Sequence, residues 1–138
     1  MKNILILCTG NSCRSQIAHG YFKKLSKNKA TIYSAGIETH GLNPNAVKTM
    51  LRDDIDISTH TSNNVNEYSN INFDYIITVC DHANESCPTI TSNNALRIHK
   101  NFFDPSKIKN SINTQKDFDK CRDEIKNFSI EFYNKYIN

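Results

Sequence analysis

A short apolar run, Ile4-Leu5-Ile6-Leu7, leads directly into Cys8-Thr9-Gly10-Asn11-Ser12-Cys13-Arg14-Ser15, and this junction constrains the chain more than any other stretch. A run of this length without polar alternation predicts a strand buried on both faces, as in a parallel sheet. The apolar spacing that begins near Ser15-Gln16-Ile17-Ala18 predicts a helix. Between them lies a strand-to-helix turn, in which Gly10 and Asn11 tolerate backbone angles that other residues resist. Successive N–H groups in such a turn can face inward at a helix N-terminus, where hydrogen bonds and the helix dipole favour a phosphate-like anion. Thr9, Gly10, Asn11, Ser12, Cys13, Arg14 and Ser15 are the expected oxyanion cradle, and Arg14 adds a planar fork for two oxygens. The same field is expected to lower the Cys8 pKa from about 8.5 toward roughly 3.5–7.5, leaving a thiolate nucleophile at neutral pH. Ser15 is expected to donate to that sulfur, and Ser12 or Asn11 to hold the loop closed. The bare Cys-x5-Arg spacing is weak; its strand, its Gly-Asn pair, the following serine and the helix behind it give it weight.

The 138 residues suit a single domain, 1–138, able to bury one core without staples. No run of 18 apolar residues occurs, and Met1-Lys2-Asn3 does not open a signal peptide, so the expectation is a cytoplasmic, soluble, monomeric chain with no membrane partner. A net charge of +3 is mild, and lysines alternate with acidic residues in the C-terminal third, which argues against nucleic acid as a partner. Five cysteines, at 8, 13, 80, 87 and 121, are an odd count that argues against a structural disulfide framework. His82 and His99 lie near Cys80 and Cys87 at no common zinc spacing, so no metal site is expected.

Along the chain, Ser15 to Lys27 predicts a helix with Ile17, Ala18, Tyr21, Phe22 and Leu25 inward, and Gly20 suggests close packing on a neighbour. Ala30 to Ser34 predicts a strand, and Asn43-Pro44 a cap and first turn for a helix through about Arg52. Ile55 to Ser58 reads as a short extended stretch and Asn63 to Ser69 as one or two helical turns. Asp74 to Cys80 is the most strand-like run, Leu96 to His99 a fourth strand, and a long helix starts near Thr114 with Asp117 in a box-like cap. Phe118, Cys121, Ile125, Phe128 and Phe132 form its buried stripe, which assigns Cys121 to packing. Such alternation implies a parallel sheet with helices on both faces, and ligands at the carboxyl ends of its strands. Cys8, Cys80 and the Asp104-Pro105 turn all follow strands.

These residues resemble the low-molecular-weight tyrosine phosphatase fold and, within it, the thioredoxin-coupled arsenate reductases. The resemblance spans nearly the whole chain: residues 8–16, Ser34 to Gly41, Asn43 to Ala46, Asp54 to Ser58, His60-Thr61-Ser62, the Cys-x6-Cys-Pro of 80–88, Asp104-Pro105 and Arg122 to Ile125. It implies an α/β three-layer sandwich with a four-stranded parallel sheet in the order 2-1-3-4. It also implies arsenate reduction by a relay. Cys8 attacks arsenate held by the loop and Arg14, Cys80 attacks Cys8 as arsenite leaves, and Cys87 attacks Cys80, so a Cys8–Cys80 disulfide gives way to Cys80–Cys87 for thioredoxin to reduce. Phosphate and sulfate are the competing oxyanions, and no cofactor is tightly bound. Asp104 is the implied general acid, and Cys13 is structural.

A phosphatase would use the same Cys8, Arg14 and Asp104 but has no use for Cys80 and Cys87 at their spacing. A non-enzymatic oxyanion or redox sensor is the third reading. If Asp81 to Ser86 is helical in the reduced chain, Cys80 and Cys87 lie about 10 Å apart along the axis. A disulfide needs Cα atoms within about 7 Å, so the segment would unwind on oxidation. Two departures from the family stand out. Where members show His-Trp-Gly-Phe-Asp-Asp-Pro this chain has His99-Lys100-Asn101-Phe102-Phe103-Asp104-Pro105, a less aromatic and more basic rim. Where some members hold potassium with acidic side chains it has His19 and Asn63, which puts potassium in doubt. His40, His60 and His99 are expected to serve packing or hydrogen bonding.

Overall fold

The computed structural model describes residues 1–86 and 94–137. Strands β1 (Lys2–Cys8), β2 (Ala30–Gly36), β3 (Tyr75–Thr78) and β4 (Leu96–His99) form one sheet in the order β2-β1-β3-β4, with every neighbouring pair parallel. This is the order that the resemblance implied. Helices α1 (Arg14–Ser26), α2 (Pro44–Leu51), α3 (Asp81–Ser86) and α4 (Thr114–Tyr136) connect or follow the strands, with 3-10 turns at Val65–Tyr68 and Pro105–Lys107.

β1 lies between β2 and β3, and Ile4, Leu5, Ile6 and Leu7 are fully buried, which is why the run carries no polar alternation. Their burial contributes roughly 1.5–3 kcal/mol per side chain. Residues paired across strands share a face, so the register identifies the two covering layers. Tyr75 pairs with Ile4, and its ring meets Phe132 and Tyr136 of α4. Tyr33 pairs with Leu5, and its ring meets Tyr68 and Phe73 on the opposite side. α1 joins the α4 layer through Phe22 against Phe132. The sheet is sandwiched between two layers.

Local signals translate closely. Asn43 caps α2, its side chain accepting from the Asn45 and Ala46 N–H groups, with Pro44 in the first turn. A Cβ at Gly20 would stand 2.7 Å from the Met50 methyl and 3.0 Å from Ile57, so that glycine lets α1 lie against α2. Phe118, Cys121, Ile125 and Phe132 are buried along α4, with Phe128 partly so. The cap of α4 needs correction: Asn113, not Thr114, accepts the first-turn N–H, from Lys116, while Asp117 takes the Ser111 hydroxyl. Residues 55–58 form no strand, yet Ile55 and Ile57 are buried in the core. Cys8 closes β1, opposite Gly36, and Cys80 follows β3 on the same edge of the sheet. Among the described residues no helix is long and apolar enough to cross a membrane.

Candidate active site

The loop after β1 is held from outside by its carbonyls. Those of Cys8, Thr9 and Gly10 accept from the N–H groups of Ile37 (3.3 Å), Glu38 (2.9 Å) and His40 (2.9 Å), and that of Ser12 from Asn43 N–H (3.0 Å). The Gly10 carbonyl also takes the Ser62 hydroxyl at 2.9 Å, and the Asn11 carbonyl takes Gln16 Nε2 at 3.0 Å. In a trans peptide N–H and C=O point opposite ways, so each outward carbonyl turns the next N–H inward. α1 begins at Arg14, and the N–H groups of its first turn have no intrahelical carbonyl. The result is a concave run of N–H groups, a shape that suits an anion. Asn11 sits at φ 48°, the left-handed region, and locks the turn: its Nδ2 donates to Ser15 Oγ at 2.8 Å and its Oδ1 accepts from Asn63 N–H at 2.8 Å. Of the two closing residues expected, Asn11 does the closing. A Cβ at Gly36 would stand 2.3 Å from Glu38 O and 2.7 Å from both Asn11 N and Thr9 O, so a glycine there lets β2 press on the loop.

Cys8, Thr9, Gly10, Ser12, Cys13, Arg14 and Asp104 line one cavity of about 130 Å³, with His40, Ser106 and Lys107 on its rim. Arg14 is fixed by two anchors that lie far away in sequence. One guanidinium nitrogen donates to the Phe102 carbonyl at 2.8 Å, and the other faces Asp104 at 3.5 Å. Its Nε is buried without a hydrogen-bond partner, which is costly unless a ligand oxygen supplies one. Asp104 also accepts from Ser106 N–H at 2.9 Å and from its hydroxyl at 2.6 Å, which fixes the carboxylate at the mouth.

Cys80 lies against the loop. Its sulfur acts electrostatically on Cys8, lies 3.3 Å from Thr9 Oγ1, and accepts the Ala83 N–H at 3.4 Å. The charge expected on Cys8 belongs to a pair of sulfurs. Interaction with the Cys80 sulfur, and then burial, push the Cys8 thiol up, whereas the same interaction, Thr9 and Ala83 bring Cys80 down to about 5 against its own burial. The two sulfurs therefore share one proton and one negative charge. Arg14 favours the anion on either sulfur. Ser15 is fully buried, and the hydrogen bond recorded at its hydroxyl is the one from Asn11, not one to Cys8. Cys13 is buried and pushed up by desolvation, and Cys121 is pushed up to about 12 for the same reason, which leaves both weak nucleophiles. Cys87 lies outside the described residues, as does the Cys80–Cys87 pairing.

Sequence reasoning missed the scaffold behind the loop. Gln16 Nε2 bridges the Asn11 and Thr61 carbonyls, and its Oε1 meets His60 Nδ1 at 3.0 Å. His60 stacks on His19 at 4.5 Å, and His19 Nδ1 meets Ser34 Oγ at 2.8 Å. The Ser-Gln pair after Arg14 and the His-Thr-Ser run were the available signals. This donor set does not fit potassium: burial, His60 and Lys23 push His19 down to about 3, so it is a neutral ring already bonded to Ser34. Asn63 Oδ1 is taken by the Thr61 hydroxyl. The buried pair predicts acid sensitivity. An unfolded histidine takes a proton near 6.5, but folded His19 refuses it until about pH 3, so stability present above 6.5 falls as pH drops below it. The expected loss is roughly 1–2 kcal/mol between pH 6.5 and 5, read from urea unfolding. His19→Gln should flatten that slope, and an unchanged slope would place the acid sensitivity elsewhere.

Residues 3–137 match the family model described as low molecular weight phosphotyrosine protein phosphatase. A protein of Halalkalibacterium halodurans named arsenate reductase is 46% identical over 125 residues, covering 90% of this chain and 89% of its own. Arsenate reductase 1 of Staphylococcus epidermidis is 45% identical over 125 residues, covering 91% and 90%. A solved arsenate reductase in the phosphate binding state superposes with a TM-score of 0.78 at 27% identity, covering 98% of both chains. The chain belongs to the low molecular weight phosphotyrosine protein phosphatase family, on the branch where its similar relatives carry the name arsenate reductase.

Proposed function

We propose that this protein reduces arsenate to arsenite with electrons from its own thiols, regenerated by thioredoxin. The observation that carries the reading is the second sulfur: Cys80 packs behind the cavity wall, 3.3 Å from Thr9 Oγ1 and in electrostatic contact with Cys8, where hydrolysis by a cysteine nucleophile needs only one thiol. The names of the relatives support it, and phosphate bound by a solved relative supports a tetrahedral oxyanion as ligand.

Arsenate enters the cavity, one oxygen facing Arg14 Nε and others the loop N–H groups. Cys8 sulfur forms a bond to arsenic as one hydroxyl leaves as water, taking the thiol proton; Asp104, at the mouth, is placed to pass that proton. Once the shared proton has left with that water, Cys80 is a thiolate. It attacks Cys8 sulfur, the S–As bond breaks with its electron pair moving to arsenic, and arsenite departs and takes up protons from water. Arsenic has gained two electrons, and the two sulfurs have become a disulfide. Cys87 then attacks Cys80, frees Cys8 and carries the disulfide to thioredoxin.

The test is arsenate-dependent NADPH oxidation with thioredoxin and thioredoxin reductase, parent against Cys87→Ser. Many turnovers in the parent and a stall after about one in the variant are expected from the relay. Brisk aryl-phosphate hydrolysis indifferent to Cys87, with no arsenate turnover, would replace this reading with a phosphatase.

A further inference from the structure

α3 has only six residues, from Asp81 to Ser86, yet its first turn supplies the Ala83 N–H that holds the Cys80 sulfur. A helix this short does not hold itself in water, so its start must be tied to something else. The ties come from the end of β4. His99 spans the gap, its Nε2 2.7 Å from Asp81 Oδ1 and its Nδ1 2.7 Å from Thr78 Oγ1. A carboxylate accepts only, so Nε2 carries a ring proton, and Nδ1 pairs with the Thr78 hydroxyl, which also reaches Asn84 Oδ1 of α3 at 3.4 Å. Asn101 adds a second tie, its Oδ1 accepting the Asp81 N–H at 3.1 Å. Thr78 ends β3 and Asp81 opens α3, so the imidazole clamps the two sides of Cys80 together.

We propose that His99 is a positioning residue for the thiol relay: acting through Asp81, it sets the first turn of α3 and so aims the Ala83 N–H that helps keep Cys80 a competent nucleophile. The inference rests on the reading of Cys80 as the second thiol. Its geometry involves neither arsenate nor the oxyanion cavity, whose lining does not include His99. Cys8, Arg14 and Thr9 act on the Cys80 sulfur from the loop side. Ala83 is the donor from the α3 side, and only that donor depends on the clamp.

The experiment compares the full-length parent with His99→Ala, His99→Gln and Asp81→Asn. Peptide-resolved mass spectrometry follows iodoacetamide labelling of Cys80 from pH 4 to 9, and a single-turnover assay follows arsenate-driven Cys8–Cys80 disulfide formation. In His99→Ala and Asp81→Asn the labelling midpoint is expected to rise by at least about one pH unit, which is tenfold less thiolate at a pH below both midpoints. Disulfide formation should slow about tenfold with it, while affinity for inorganic phosphate stays within twofold. His99→Gln, which keeps one of the two contacts, should fall between. A lower melting temperature with an unmoved Cys80 midpoint and disulfide rate would overturn the proposal and leave His99 a structural tie. The labelling profile needs no arsenate. A parent that labels as expected but forms no disulfide with arsenate would overturn the reductase reading and not the clamp.

Discussion

Arg14→Lys is expected to lower arsenate turnover by about 10²–10³-fold and to weaken phosphate binding with it, although the charge is kept. Arg14 does three jobs at once: it donates to the Phe102 carbonyl, faces Asp104, and leaves a buried Nε for the oxyanion. A lysine has one nitrogen on a flexible stem and cannot span a carbonyl, a carboxylate and a ligand together. It also leaves the Phe102 carbonyl short of a donor. Calorimetric titration with phosphate and steady-state kinetics read the two effects; retention of activity within threefold would show that charge alone suffices.

Replacing Cys80 by serine is expected to hold arsenite release below one per protein molecule when no small thiol is added. The serine hydroxyl can still meet Thr9 and Cys8 but cannot accept a disulfide bond, so the adduct on Cys8 has no route to arsenite. A second, opposite effect should appear on Cys8. Its proton is retained chiefly through the interaction with Cys80, so losing the competing sulfur lets Arg14 and the loop lower Cys8. Labelling of Cys8 at neutral pH should become faster in the variant, and any aryl-phosphate hydrolysis should persist. Repeated arsenite release from Cys80→Ser would remove Cys80 from the relay.

Cys8 and the cap of α4 show where local reasoning stops. The fields of a helix start and an arginine are local, and they led to a Cys8 thiolate. What the spacing cannot contain is a second sulfur just past β3 that shares the charge and takes donors from Thr9 and Ala83. The cap moved by one position because both Asn113 and Thr114 can cap, and the fold places Asn113 in the extended conformation that a cap needs. Ile55 to Ile57 has strand-like composition, yet both isoleucines lie beside Gly20 of α1 and fill the core from a loop instead.

By itself the sequence determined the elements, the parallel layering and the strand-to-helix loop after Cys8, of whose expected cradle Asn11 and Ser15 lie buried behind the cavity wall. Each depends on periodicity, on Gly and Asn at a turn, or on a helix start, all of which operate over a few neighbouring residues. The resemblance carried the strand order, which the structure bears out. Tertiary structure decided how the cradle is held and charged. The carbonyl ties from residues 37–43, the Arg14 anchors at 102 and 104, the Gln16–His60–His19 support and the His99 clamp on α3 all join residues far apart in sequence. Their physical basis is distance and burial between elements. No residue type encodes these until the strands have paired.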